Sequence, residues 1–348
     1  MAEWTMPKIS YDDYLRIARN PDVSDEELLR YSTVRRGEGA FSIVVEPDPE
    51  MVEMSAEDVE LENAMQMGNG LARYRRQAHF RTRKALGSSL PVLVSECDSW
   101  GQFPLLIKEI IDQLYDDFLV WSVGAAGDTA QNMVFGPQQP GRTEYMLALR
   151  QQKQAVKGFI FSAAGNDIIG EDTVTGEAVL LNILTPFNGD PDDVEGHINH
   201  SLLRDKLDFL RQAYSTVIEN VRKEPGFSRL PIFIHGYDYV FPYPWGSSDP
   251  RNPAYADNNE WLGAPLDARG IMHPALRRGV CAYLIDRLYE MLEEFAGDSS
   301  QTQVWLVDCR GAMPDVSDWN DEIHGTSAGF AKVASRFRPV IAQALASV

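Results

Sequence analysis

From residue 89 onward the chain alternates short apolar runs with amphipathic ones, and this alternation limits the fold more than any other feature. The apolar runs are PVLVSE (91–96), FLVWSVG (118–124), GFIFSAA (158–164), LPIFIHGY (230–237) and TQVWLVD (302–308). Each has strand length and stays largely apolar at successive positions, which reads as a strand buried on both faces. Amphipathic segments separate them at 103–116, 143–154, 201–223 and 274–296, and a last one follows at 326–346. Strand and helix in alternation, joined by right-handed crossovers, predict a mainly parallel five-stranded sheet covered on both faces. That is a three-layer α/β/α, flavodoxin-like domain. Two long insertions break the pattern. Residues 170–196 read as a hairpin and loop, and residues 241–270, rich in Pro, Gly, Asn and aromatics, read as a lid or binding loop.

Residues 1–88 follow no such alternation. ISYDDYLRIA has helical periodicity, and VSDEELLRYS pairs Ser24 with Glu27 in a capping-box pattern for a second short helix. AFSIVVEPDP reads as a strand, and residues 54–86 read as a charged helix interrupted near Gly68 and Gly70. The segment is expected to be a mostly helical N-terminal extension to a main domain of residues 89–348. Its basic run, Arg73 to Lys84, reads as a solvated amphipathic face.

Charge and cysteine content narrow the partners. Against 32 Lys and Arg stand 51 Asp and Glu, a net charge of −19. That sign opposes nucleic acid and anionic membrane, which attract cations. The 44% hydrophobic content supports a sizeable core. Cys97, Cys281 and Cys309 form neither a disulfide framework nor a metal-ligand spacing, which fits a reducing compartment. No signal peptide is read at the N-terminus, and no apolar run approaches the roughly 20 residues that span a bilayer. A cytoplasmic protein is expected, and nothing in the sequence speaks to its oligomeric state.

In an open parallel sheet, ligands bind beyond the carboxyl ends of the strands. There the sequence reads CDSW, GAAGDTAQN, AAGNDIIG, HGYDYVFPYPW and DCRGAMPDVSDWNDEIHGT, in strand order. Ser99 offers a hydroxyl, Gly127 a close-approaching backbone N–H, Asn166 a side-chain amide, and Asp321 with His324 a base beside a carboxylate. A serine hydroxyl is a poor nucleophile until a base removes its proton. Histidine is neutral enough near pH 7 to do so and to return the proton later. A carboxylate holds the imidazole tautomer, and N–H groups stabilise the charge on the carbonyl oxygen. Each residue alone has a plainer use: Ser99 as a helix cap, Gly127 and the GND segment in turns.

Together, CDSW, AAGDT, AAGND and DEIH, followed by GTSAGFAKVA, resemble the four sequence blocks and closing helix of the SGNH (GDSL-type) hydrolases over residues ~89–348. The resemblance implies an esterase or thioesterase working through an acyl-enzyme, with Ser99 as nucleophile, His324 as base and Asp321 orienting it. It also implies an oxyanion hole from the Ser99 and Gly127 N–H groups and the Asn166 side chain, and no metal or organic cofactor. The family has glycine where this chain has Cys97. Asp318 is a rival to Asp321. No Gly-x-Ser-x-Gly elbow surrounds Ser99, so the α/β-hydrolase pattern does not apply.

His235, Tyr237, Asp238 and Trp245 are candidates to line the substrate site, with Tyr243, Tyr255 and Trp261 on the same long loop. Such aromatics suit glycan and lipid esters equally. His197 and His200 lack a recognised metal spacing. The competing function classes are a non-catalytic binding protein on the same fold and a nucleotide-binding protein. The glycines of SVGAAGDTAQ lack both the G-x-G-x-x-G spacing and the P-loop lysine.

Overall fold

The structure is a computed structural model, and it describes residues 8–20, 23–36, 43–54, 68–103, 107–136, 143–170, 177–246, 249–253 and 261–347. Four short strands come first: β1 (Ile9–Ser10), β2 (Ser32–Arg36), β3 (Ile43–Pro47) and β4 (Val52–Glu53). The five strands of the main sheet follow: β5 (Val92–Cys97), β6 (Leu119–Ser122), β7 (Val156–Ser162), β8 (Ile232–His235) and β9 (Val304–Val307). Their order is β6-β5-β7-β8-β9, and every neighbouring pair is parallel.

The strand sequences explain the layers. In β5 every residue is buried, with Leu93 and Cys97 packing into one core and Val92 and Val94 into the other. The helices Gly68–Ala85, Glu144–Gln151 and His200–Lys223 cover the Val92 face, through Phe80, Tyr145 and Tyr214 among others. Ile110–Gln113 and Ser327–Ala346 cover the opposite face. The chain lays β6 on one side of β5 and β7 on the other. The direction of winding reverses there, which makes the carboxyl ends of β5 and β7 the switch point where such sheets bind ligands.

Several expectations change in detail. Of the helix expected from 103, Phe103 and 107–109 are not helical, 104–106 lie outside the described residues, and a helix runs from Ile110, where Glu109 caps it by accepting the Ile111 N–H (2.9 Å). Residues 170–196 form the short helix Val179–Ile183 and a 3₁₀ turn at Glu195–His197, and Leu184 bridges to Ile198. No hairpin strands occur among its described residues; 171–176 lie outside them. Within 241–270, Gly263–Ala268 is helical, while Tyr255 lies outside the described residues. No helix of the described residues is long and apolar enough to cross a membrane.

The N-terminal segment has its own small core of Tyr11, Tyr14, Leu28, Val45 and Val52. Ser24 caps the helix Asp25–Leu29 by accepting the Glu27 N–H, as the sequence pattern predicts. The basic run is the largest departure. It lies on the helix Gly68–Ala85, and Arg73, Arg75 and Arg76 turn inward rather than into solvent, while Arg81 stays exposed. Arg75 donates to the carbonyls of Ala18 and Asn20 and to Asp25. Arg76 donates to the Gly101 carbonyl, Gln102, Glu109 and Asp112. Arg73 reaches Glu144 and the Gly124 carbonyl. A guanidinium carries five donors, so one buried arginine can satisfy several orphan carbonyls.

Candidate active site

Beyond β5 the chain turns sharply at Asp98-Ser99-Trp100. Asp98 accepts the Trp100 N–H through Oδ1 (3.0 Å), and the Gly101 and Gln102 N–H groups bond back to the Asp98 carbonyl. Cys97 ends the strand in ordinary pairing with Ser162. The crowding that a glycine at 97 would relieve is relieved by its neighbours instead. A Cβ on Gly101 would lie 2.4 Å from Cys97 Cβ, and one on Gly124 would lie 2.4 Å from the Cys97 carbonyl oxygen. Burial pushes the Cys97 thiol well above its usual pKa, so it is a packing residue rather than a reactive thiol.

Ser99 Oγ lies 2.8 Å from His324 Nε2. His324 Nδ1 lies 2.8 Å from Asp321 Oδ2 and 3.0 Å from Oδ1. Asp321 Oδ1 also accepts the backbone N–H groups of Ile323 (2.9 Å) and His324 (2.7 Å), which curl the loop around the carboxylate. All three side chains are buried. Trp100 Nε1 donates to the Ile323 carbonyl at 2.8 Å, tying the residue after Ser99 to the residue before His324. Phe103 and Trp261 pack on the imidazole, with ring centroids 4.5 and 5.5 Å away. Asp318 takes no part in this chain. Its carboxylate holds Lys332 Nζ at 2.6 and 2.7 Å.

The GND segment sits across the switch point. Ala164 has φ 132°, a conformation costly for a residue with a Cβ, and hydroxyls hold it on either side. Tyr214 bonds the carbonyl and N–H of Ala163 (2.8 and 3.0 Å). Tyr237 accepts the Gly165 N–H (2.7 Å) and donates to Asp98 Oδ2 (2.5 Å). Burial pushes Asp98 up to about 6. Asn166 Nδ2 donates one hydrogen to the Asp128 carbonyl (2.6 Å), and Asp167 Oδ2 accepts the Ala130 N–H (2.9 Å). The second strand-end turn is thereby tied to the third. Gly127, just before Asp128, has φ 82°, the left-handed region that favours glycine. Among the described residues nothing accepts the Ser99 N–H.

A cleft of about 80 Å³ opens beside Ser99. Asp98, Asn166 and Tyr237 line it; His235, Asp238 and Trp245 do not. His235 is buried against Phe337, with Nδ1 on the Gly236 carbonyl (2.8 Å), and burial drives its pKa down to about 4. Asp238 accepts the N–H groups of Tyr239, Gly311 and Met313, fixing the turn after β9. Trp245 packs edge-on against Phe241 (5.1 Å). His197 is buried, with Nδ1 on the Asp193 carbonyl, and His200 meets Tyr283. The described residues contain no cluster of His, Cys, Asp and Glu able to hold a metal.

Sequence reasoning did not reach two residues that brace the site. Glu322 accepts the N–H groups of Tyr243 (2.8 Å), Leu262 (3.2 Å) and Gly263 (3.3 Å), and burial pushes it up to about 8. Arg251 donates to the carbonyls of Phe241 (2.7 Å) and Asp321 (3.0 Å) and pairs with Asp249 (2.6 Å). Together they bolt the long loop 241–270 to the loop carrying Asp321 and His324. The adjacency of Glu322 to Asp321 was the one available signal, and it reads equally well as surface charge.

The chain matches no protein-family model and no curated protein. Among solved structures it is similar to a mutant acetyl-xylooligosaccharide esterase from Geobacillus Stearmophilus, at 16% identity over 73% of this chain and 95% of that one, with a TM-score of 0.36. It is also similar to the N-terminal part of the protein BF1531 from Bacteroides fragilis, which contains a phosphatase domain complexed with Mg. That match has 15% identity over 77% of this chain and 56% of that one, with a TM-score of 0.37. Likenesses of this strength carry no argument about activity.

Proposed function

We propose that this chain is a serine hydrolase of carboxylic esters or thioesters, of the SGNH type, acting through an acyl-enzyme on Ser99. One observation carries the reading: the unbroken hydrogen-bonded chain from Ser99 Oγ through His324 to Asp321. Ser99 Oγ attacks the ester carbonyl carbon, and its proton passes to His324 Nε2. Asp321 holds the Nδ1–H tautomer and stabilises the imidazolium. The Ser99 and Gly127 N–H groups and the second Asn166 amide hydrogen receive the oxyanion, each worth about 2.7–4 kcal/mol in comparable sites. The intermediate collapses, the bond to the alcohol oxygen (or thiol sulfur) breaks, and the leaving group takes the proton from His324. Water then attacks the acyl-enzyme by the same route and frees the acid. These steps draw only on side chains and backbone of this chain.

Turnover of p-nitrophenyl acetate and butanoate, with fluorophosphonate labelling, tests the reading. Ser99→Ala should lose on the order of 10⁶-fold in kcat and all labelling. Equal rates in wild type and variant would overturn it. A wild type with neither turnover nor labelling would favour a binding protein built on the same fold.

A further inference from the structure

We infer that the cleft beside Ser99 is an acyl pocket for a short aliphatic chain of about four carbons, neither acetyl nor long fatty acyl. The inference rests on the serine-hydrolase reading and adds a substrate class to it. Three features of the cleft support it.

The first is chemistry. Cys281, Leu284, Ile285 and Leu288 lie at i, i+3, i+4 and i+7 on the helix Pro274–Ala296, so one stripe of that helix forms a wall. Ile168 and Ile169, directly after the GND segment, line it too. The polar groups at its mouth already have work. Asp98 is held by Tyr237 and the Trp100 N–H, and Tyr237 by Asp98 and Gly165. A hydroxylated acyl group would bury its oxygens there without partners, at a cost of about 1–3 kcal/mol each.

The second is direction. The leaving group takes its proton from His324, so it departs on that side. The cleft is lined by Ala164, Gly165 and Asn166, and of the loop carrying His324 only Ile323 reaches its wall. It therefore extends from the carbonyl carbon on the acyl side.

The third is size. About 80 Å³ is about half of a roughly 150 Å³ apolar cavity that takes up the six carbons of benzene, so it holds about three carbons, which with the carbonyl carbon makes a butanoyl chain.

The test is a chain-length series of p-nitrophenyl esters: acetate, butanoate, octanoate and palmitate. Each methylene buried in the pocket is worth about fourfold, so kcat/KM should rise about fifteenfold from acetate to butanoate, then fall by palmitate. Leu284→Trp should fill the pocket and cut the butanoate-to-acetate ratio toward one. Leu284→Ala should move the optimum toward octanoate. Thermal melting of both variants checks folding, and the two shifts oppose each other, so general damage cannot mimic them. Butanoate esters of alcohols of increasing length supply the control, and should show no matching optimum.

Ser99-dependent turnover with no preference for butanoate over acetate would overturn the pocket but spare the hydrolase reading. So would a steady rise to palmitate, or an optimum that follows the alcohol. Absence of Ser99-dependent turnover of every ester would overturn the hydrolase reading itself.

Discussion

Two stretches of this chain carry a histidine and an aspartate three residues apart near strand ends: His235 with Asp238 after β8, and Asp321 with His324 after β9. All four are buried. In the second pair the ring has one nitrogen on a carboxylate and the other on a serine hydroxyl. In the first pair Nδ1 sits on a neighbouring carbonyl, and Nε2 finds no partner among the described residues. The aspartate there spends its oxygens on three backbone N–H groups. The same two residue types at the same spacing make a hydrogen-bonded chain to a serine hydroxyl in one case and a structural tie in the other. What separates them is the third group each ring meets: Ser99 for His324, the ring of Phe337 for His235.

The sharpest way to break this contrast is to neutralise each aspartate. Asp321→Asn should cost roughly ten-thousand-fold in kcat, because the wrong tautomer then faces Ser99. Asp238→Asn should leave kcat within about threefold but lower stability by about 1–3 kcal/mol, since an amide N–H₂ then faces a backbone donor. Kinetics paired with urea denaturation separates the two, and similar kcat losses in both would erase the distinction.

His235 should make stability depend on acid. Above pH about 6.5 both folded and unfolded chains keep a neutral imidazole at 235. As pH falls, only the unfolded chain takes the proton, until the folded one follows near about 4. Stability is therefore lost across that window, about 3 kcal/mol in all. Asp98 and Asp167, both pushed up to about 6 by burial, act in the opposite sense, favouring the fold at lower pH. The informative quantity is thus the difference between wild type and His235→Phe, by urea denaturation at several pH values. A difference independent of pH would mean that His235 is not held neutral.

A smaller effect is expected at Tyr237, which with Val240 brings the β8 end to the cleft. Tyr237→Phe removes the hydroxyl from both Gly165 and Asp98, so the Ala164–Asn166 segment should relax away from its strained geometry. About a tenfold fall in kcat is expected, with KM less affected. An equal rise in KM with unchanged kcat would assign Tyr237 to substrate binding alone.

The sheet was legible because parallel strands buried on both faces leave long apolar runs, as in VLVSEC and GFIFS. The order of the strand-end segments was legible for the same reason, since each follows such a run directly. Phe103, by contrast, was taken for the start of a helix, when its ring packs on His324 ahead of the turn that Glu109 caps. The basic run was taken for a solvent face because charge and periodicity cannot show that carbonyls of another segment await the arginines. Glu322 and Arg251 were invisible for a related reason: the Tyr243 N–H and the Asp321 carbonyl that they bridge to are distant in sequence and meet them only once the loops are folded.

The neighbouring arginines 75 and 76 also bear on modularity. One grips the carbonyls that end the first helix, and the other is buried with Glu109 beside the Ser99 turn. Glu109 is held by this guanidinium, and stripping a buried carboxylate of its counter-charge costs about 3–5 kcal/mol. A chain severed at residue 89, where the sequence pattern changes, would lose that cation and with it the anchor of the segment leading to Ile110. The helix Gly68–Ala85 packs on the sheet through Phe80 and grips the first helix through Arg75, so what resembles a leader is in part the keystone of the fold that follows.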